Sequence, residues 1–549
     1  MWKFLLGAVL LFCAMGNLYW TLQGGIDADL LHLPMMFRDW QAGHLDWFFY
    51  SLPPARYIFP DIPLFFALNM LMGNGVQAMC LNIALNLLLV WGLLAWALQI
   101  YFQVPFKKSL LPILLALVVF MVPGVFPVGA VKGLFFPTFH AGVLCCSLLG
   151  YCVLGYWLQR PGWVRAAWVF AVAVLTGLSD PLGFAIFIVP AMVLAVVAWQ
   201  PKRFWWRLVL PVILFAGYYM GGCIGDYAMP YAPLQFLHKE LPPVHFIGDS
   251  FLVFFHWILS WEGLPFVILM LGAFCSLWML WKRLPEKRGV LIGLGALVVL
   301  PIGVALVMGR FTDVGETRYF ALSLLAATLL SGYVIKNAGP RIIVVGVVVC
   351  GVGLTLLSAP EWPTWARLNY PMLVGQMDTL KKPLGLKAGL AEYWDAKSIS
   401  YFSKEHLVVN CLSFNGRLHC KLESIAWLGV PFTPGLHLEY NFILTRHMSK
   451  KSVAHIYGKP SKTYDIILAG EPTQLWLYDH DLNQKVAEDH LLWELVAARL
   501  MENSYMISPL EHEIIATRLA EVIVPAIERD PSDIPGWLKL MMSAKTPLK

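Results

Sequence analysis

Long apolar stretches constrain the fold of this chain more than any other feature. They lie at about 4–22, 76–102, 109–127, 135–158, 164–178, 181–199, 207–223, 250–281, 289–309, 319–336 and 341–358. Only 13% of the 549 residues are charged, while 58% are hydrophobic. The sequence therefore predicts an integral membrane protein with about eleven transmembrane helices. We interpret the first stretch as a spanning helix rather than a cleaved signal peptide.

The charges in the loops predict the orientation of these helices. Basic residues concentrate in short loops at 107–108, 160–165, 202–207, 282–288 and 336–341, which the positive-inside rule assigns to the cytoplasm. The other loops hold most acidic residues of this half of the chain: Asp27, Asp29, Asp39, Asp46, Asp61, Asp180, Asp226, Asp249, Glu262, Asp313 and Glu316. We therefore expect the N-terminus in the cytoplasm and everything after Pro360 outside. The net charge of +6 is a topology signal, and we expect no nucleic-acid partner.

The composition changes near Pro360, where the charged fraction rises. Residues 1–358 are predicted to form an all-α polytopic membrane domain and residues 360–484 a soluble, extracytoplasmic α/β or α+β domain. Residues 485–549 are predicted to be a helical C-terminal extension. Strand-like runs in the soluble domain lie at Leu407–Cys411, Leu418–Leu422, Tyr440–Leu444, Asp465–Leu468 and Leu475–Tyr478, and Gly385–Trp394 has a helical pattern.

A disulfide is predicted in the soluble domain. Asn415-Gly416 is a strong signal for a two-residue hairpin turn, and pairing outward from it sets Leu412 opposite His419 and Cys411 opposite Cys420. Such a pair is not hydrogen-bonded, so its side chains approach closely. An oxidising compartment would preserve the bond.

The first outer loop carries the leading catalytic candidates. Asp27 and Asp29 follow Gly24-Gly25, and carboxylates so placed are able to act as a general base or to hold a divalent cation. Alternatively, Asp29 caps the helix predicted over Pro34–Trp40, which would lie in the membrane surface, and Asp27 is solvated.

Further candidates lie at other outer helix ends. Asp180 precedes Pro181 and Asp61 follows Pro60, and each is equally explained by a turn. The stretch 62–72 is too short to span and is predicted to be re-entrant or interfacial. Basic residues near outer helix ends suit the phosphates of a lipid headgroup, or alternatively extend toward the membrane interface: Lys132, His140, Arg310 and Arg318.

Known soluble-enzyme motifs are absent from the sequence, but its layout resembles a membrane enzyme family. There is no phosphate-binding glycine loop, dinucleotide fingerprint, zinc spacing or serine-nucleophile elbow. The acidic first loop, the segments Phe59-Pro60-Asp61, Ser179-Asp180-Pro181 and Thr317-Arg318-Tyr319-Phe320, and the stretch Gly389–Lys397 resemble bacterial members of the GT-C superfamily of polytopic glycosyltransferases. The resemblance covers the chain to about residue 480.

This resemblance implies a function and a location. It implies sugar transfer from a polyprenyl-phosphate-linked donor to a glycan, lipid or protein acceptor, at the inner membrane of a bacterium. An acidic residue of the first outer loop acts as base in the superfamily, which carries over to Asp29 first and Asp27 second, with Asp180 as the next candidate. Arg318 matches the basic residues that meet the donor phosphate. The sequence leaves the need for a divalent cation open.

Two other functions also fit a chain with many membrane helices. A lipid or sugar transporter, including a flippase, would carry ionisable groups near the membrane midplane and show repeated halves. The acidic residues instead concentrate near one predicted surface, and no internal repeat is evident. A non-catalytic membrane scaffold whose outer domain binds a partner remains the third reading.

Overall fold

The structure is a computed structural model that describes residues 28–43, 50–51, 55–120, 128–197, 204–228, 244–261, 263–338, 370–414, 416–418, 423–424, 438–483, 485–486 and 489. The chain divides into two compact units. The first comprises Met1–Gly24, Ala55–Ala228 and Leu241–Pro363, and the second comprises Gly25–Pro54, Met229–Glu240 and Thr364–Lys549.

Helices make up nearly all of the described part of the first unit. In chain order, the described α-helices of both units are α1 (His32–Gln41), α2 (Asp61–Met72), α3 (Gly75–Phe102), α4 (Phe106–Phe120), α5 (Val128–Phe135), α6 (Ala141–Gln159), α7 (Trp163–Ser179), α8 (Val189–Val197), α9 (Phe204–Ala228), α10 (Val244–Ile258), α11 (Leu264–Arg283), α12 (Arg288–Val307), α13 (Ala321–Ala338), α14 (Met372–Leu384), α15 (Tyr393–Phe402) and α16 (Lys450–Tyr457). A π-helical segment, Phe184–Ile188, leads into α8, and the 3-10 helices Pro285–Lys287 and Val314–Phe320 precede α12 and α13.

Five helical stretches in the described ranges are long and apolar enough to cross a membrane: Gly75–Phe102, Ala141–Gln159, Phe266–Arg283, Pro285–Val307 and Val314–Asn337. This supports a multi-helix membrane domain. The predicted spans 4–22 and 341–358 lie outside the described residues, so the count of eleven stays a prediction. Helix α2 has 12 residues, which agrees with the prediction that 62–72 is too short to span.

The predicted single span at 250–281 is wrong, because two helices, α10 and α11, occupy this stretch. The Ser260 hydroxyl donates to the Trp257 carbonyl (2.6 Å), and the Gly263 N–H donates to the Ser260 carbonyl (3.2 Å). These bonds form a turn that ends α10. A hydropathy average along the sequence does not detect such a turn, because the residues on both sides of it are equally apolar.

A five-stranded sheet forms the core of the second unit. The described strands are β1 (Tyr50–Ser51), β2 (Ala388–Glu392), β3 (Val408–Leu412), β4 (Glu423–Ser424), β5 (Tyr440–Leu444), β6 (Lys462–Leu468) and β7 (Glu471–Leu477). The order of the sheet is β3-β2-β5-β7-β6, with β1 and β4 paired separately. Strand β2 runs parallel to both β3 and β5, whereas β7 runs antiparallel to β5 and β6. The domain is therefore a mixed α/β layer structure.

Two local predictions in this domain are wrong. The helical pattern at Gly385–Trp394 covers strand β2, which lies between two parallel strands, so sheet pairing overrides the local pattern. In the hairpin, Leu412 faces Leu418 instead of His419, and the Ser413 N–H donates to the Arg417 carbonyl (2.7 Å). A one-residue change of register exchanges the faces of a strand. Cys420 lies outside the described residues, so the disulfide itself stays a prediction.

Helix α1 confirms the helix predicted over Pro34–Trp40, and it packs within the second unit. The Arg38 guanidinium donates to the Ser400 carbonyl of α15 (2.6 Å) and lies 5.9 Å from the ring centre of Tyr401. Strand β1, from the same first loop, pairs with β4. The described part of the first loop thus packs with the C-terminal sheet domain, whereas the sequence had grouped it with the membrane domain. Residues 490–549, which hold most of the predicted helical extension, lie outside the described residues.

Close backbone contact joins α7 and α9 in the first unit. A Cβ atom placed on Gly221 of α9 would lie 2.1 Å from the Val174 carbonyl oxygen of α7. Only a residue without a side chain permits this approach, as is common where membrane helices pack closely. The next residue, Gly222, has open space where its Cβ would be.

We expect Gly221→Ala to destabilise the first unit by about 1–3 kcal/mol, because the added methyl group overpacks the α7–α9 contact. Gly222→Ala is the matched control and should leave stability equal or slightly higher, since alanine favours helix. The measurement is the thermal unfolding of the full chain in one detergent. Equal melting temperatures for the two variants would contradict the packing described here.

Candidate functional site

Three ionisable residues of the first unit lie at helix ends. Asp61 is the first residue of α2, His140 directly precedes α6, and Asp180 directly follows α7. Each helix end therefore presents a polar side chain beside apolar segments. With Arg318 and Tyr319, which precede α13, these residues form what we call the His140 cluster.

His140 and Asp180 form a pair. Nδ1 of His140 lies within hydrogen-bonding distance of Oδ2 of Asp180, whose other oxygen accepts the Leu182 N–H (2.8 Å). The turn role predicted for Asp180 is therefore present, together with a second role as partner of an imidazole. A carboxylate on Nδ1 orients the imidazole ring.

Asp61 is a buried carboxylate next to this pair. Its side chain is 2% exposed, and Oδ2 has no hydrogen-bond partner among the described residues. A Cβ on Gly142 would lie 2.2 Å from Oδ2, so glycine at this position makes room for the carboxylate. Burial, and secondarily the nearby charge of Asp180, raises the pKa of Asp61 from its usual 3.8 to about 7.

Aromatic rings connect His140 to Arg318. The ring centres of His140 and Tyr319 are 5.9 Å apart, and the Arg318 guanidinium carbon lies 5.3 Å from the ring centre of Tyr319. Arg318 also forms an ion pair with Glu316 (3.1 Å). The cluster thus places a cation beside an acid–base pair, which is an arrangement suited to an anionic substrate.

The two remaining basic candidates lie near this cluster without a direct contact to His140 in the described geometry. Lys132 of α5 has its ammonium nitrogen 5.4 Å from the ring centre of Phe139, the residue before His140. Arg310 is exposed, and its charge acts on Glu316 and Tyr319. Both remain predictions as substrate-binding residues.

Asp29 belongs to the second unit, where it contacts the start of α15. The Tyr393 hydroxyl donates to Oδ1 of Asp29 (2.6 Å). The N-cap residue of α1 is Leu31, whose own side chain makes no cap hydrogen bond. Asp29 is therefore not the N-cap residue, and its role as a base stays a prediction. Asp27 lies outside the described residues.

The described ranges contain no group of three or more His, Cys, Asp or Glu side chains that could hold a metal ion. We therefore assign no residues to the divalent cation that the sequence left open.

Sequence reasoning singled out Asp61, His140, Asp180 and Arg318 separately, and the structure brings these four together. It missed Tyr319, Gly142 and Tyr393 as site residues. Two of them stood inside motifs already noted, Thr317–Phe320 and Gly389–Lys397. Their roles depend on contacts with residues far away in the chain, which motif spacing does not reveal.

Solved structures similar to this chain include two crystal structures of ArnT from Cupriavidus metallidurans. One is bound to undecaprenyl phosphate, with a TM-score of 0.48 and 15% identity, and the other is in the apo state, with a TM-score of 0.49 and 16% identity. Each match covers 86% of this chain and 97% of the ArnT chain.

No family model matches the chain, and no curated protein matches it. Both TM-scores are below 0.5, so these matches assign no role to any residue of this chain.

We expect the stability of the protein to depend on pH through Asp61. Between about pH 4 and pH 7 the folded protein binds more protons at this carboxyl than the unfolded chain does, so its stability falls as pH rises. Asp61→Asn removes this contribution. The melting temperature of the variant should therefore fall less between pH 5 and pH 8 than the melting temperature of the parent.

The control for this prediction is Asp313→Asn, which changes an exposed aspartate and should leave the pH dependence as in the parent. His140 and Asp180 are present in all three proteins, so the difference isolates Asp61. An Asp61→Asn variant with the parent's pH dependence would refute the raised pKa.

Proposed function

We propose that this protein is a membrane glycosyltransferase that transfers a sugar from a polyprenyl-phosphate-linked donor to an acceptor hydroxyl on the extracytoplasmic side of the inner membrane. The observation that carries the proposal is the His140 cluster. Buried ionisable groups are costly in a chain this apolar, and their concentration at one set of helix ends is typical of a functional site.

The proposed reaction exchanges one bond to the anomeric carbon of the sugar for another. The acceptor oxygen attacks this carbon as Asp29 takes the hydroxyl proton. The bond between the anomeric carbon and the phosphate oxygen breaks, and its electron pair leaves with the polyprenyl phosphate. Arg318 is the proposed partner of the departing phosphate, with Lys132, Arg310 and His140 as further substrate-binding residues. Asp27 and Asp180 are the alternative bases.

The positions of the charges favour an enzyme over a transporter. Lys282, Arg283, Arg288 and Lys336 lie at helix ends, as do the members of the His140 cluster. Asn82 and Asn86 inside α3 are polar but uncharged, and the Asn86 side-chain amide donates to the Asn82 side-chain oxygen (3.1 Å). A transport route would instead require charged groups midway along the spans.

The decisive test is Asp29→Asn. The amide retains an oxygen that accepts the Tyr393 hydroxyl, so the fold is kept, but it takes no proton from an acceptor. We expect sugar transfer from a lipid-linked donor to fall about 10²- to 10⁴-fold in proteoliposomes. Asp27→Asn is the comparison, and if it alone is inactive the base is Asp27. Parental rates for both variants would reject a base in the first loop and leave Asp180 as the candidate.

A further inference from the structure

Tyr393 occupies a special position in the C-terminal sheet. It is the first residue of α15 and directly follows β2. Strand β2 has parallel neighbours on both sides. The chain continues from β2 to β3 on one side and returns to β5 on the other side, so the carboxyl end of β2 is a topological switch point. Open α/β sheets bind their ligands at such edges.

The Tyr393 side chain is held firmly. It is 6% exposed, and its ring meets the ring of Trp394 edge-on with the centres 5.3 Å apart. The ammonium nitrogen of the fully buried Lys397, one turn further along α15, lies 5.4 Å from the Tyr393 ring centre. A positive charge at this distance makes a phenol hydroxyl a better hydrogen-bond donor.

The first loop is attached to α15 at two points. Asp29 accepts the Tyr393 hydroxyl at the start of this helix, and Arg38 donates to the Ser400 carbonyl near its end (2.6 Å). Residues more than 350 positions apart in the chain are thereby held in one arrangement. The orientation of the Asp29 carboxylate is consequently set by the C-terminal domain.

We propose that Tyr393 is a positioning residue of the transferase, whose hydroxyl orients the carboxylate of Asp29, so that the C-terminal domain is an integral part of the catalytic machinery. The proposal rests on the proposed role of Asp29 as the base. A general base acts only when its oxygen points at the proton that it takes, and a hydrogen bond to its other oxygen fixes that direction.

The test is Tyr393→Phe in the full chain, which removes one hydroxyl and retains the buried ring. We expect kcat to fall about ten- to a hundredfold with the KM for the donor unchanged.

Tyr401→Phe is the matched control. It removes one hydroxyl from the same helix and retains the ring under Arg38, so kcat should stay parental. In an Asp29→Asn background, Tyr393→Phe should cause no further loss, because its effect passes through Asp29. A further loss in that background, or a parental kcat for Tyr393→Phe alone, would overturn the proposal.

A measurement without turnover separates this proposal from the proposed function. Carbodiimide and glycine ethyl ester modify carboxyl groups, and peptide mass spectrometry follows the labelling of Asp29 at one fixed pH. Labelling should increase in Tyr393→Phe, because the carboxyl group loses the hydroxyl that holds it, and stay unchanged in Tyr401→Phe. If no variant or parent transfers sugar, the transferase assignment fails while this labelling still decides whether Tyr393 holds Asp29. Unchanged labelling in Tyr393→Phe overturns the proposal.

Discussion

The cost of burying charge in an apolar environment governs this structure. A chain with 58% hydrophobic residues supplies few partners for an ionised side chain, so charges collect where helices end. His140 and Asp180 satisfy each other at two such ends. Among the described residues, one oxygen of Asp61 has no hydrogen-bond partner, and burial raises the pKa of this carboxyl. The same physical rule therefore produces the His140–Asp180 hydrogen bond and the perturbed carboxyl beside it.

The first loop and the C-terminal domain form one structural unit. Asp29 and Arg38 reach α15 through hydrogen bonds, and β1 pairs with β4. A loop built this way gains its order from the sheet domain rather than from its own short helix of 10 residues. Changes in the sheet domain are therefore expected to reach the proposed base directly.

Several elements could be predicted because their signals are local. The helices α3, α6, α7 and α13 follow runs of apolar residues, and β5 spans the predicted residues Tyr440–Leu444. Predictions failed where contacts with residues far away in the chain determine the local structure. Strand β2 has a helical pattern but pairs with β3 and β5, and the turn after Ile258 splits one apolar run into two helices. The register of the hairpin was also predicted wrongly, because the backbone hydrogen bond between Ser413 and Arg417 competes with the two-residue turn.

The sequence by itself determined that this chain carries many long apolar helices, that its composition changes near residue 360 and which residue types are available for chemistry. These follow from hydropathy, charge and composition, which are properties of neighbouring residues. Only the tertiary structure decided that Asp180 pairs with His140, that Gly142 makes room for Asp61 and that Tyr393 holds Asp29. Such contacts join residues up to 364 positions apart, and no local pattern encodes a partner at that distance.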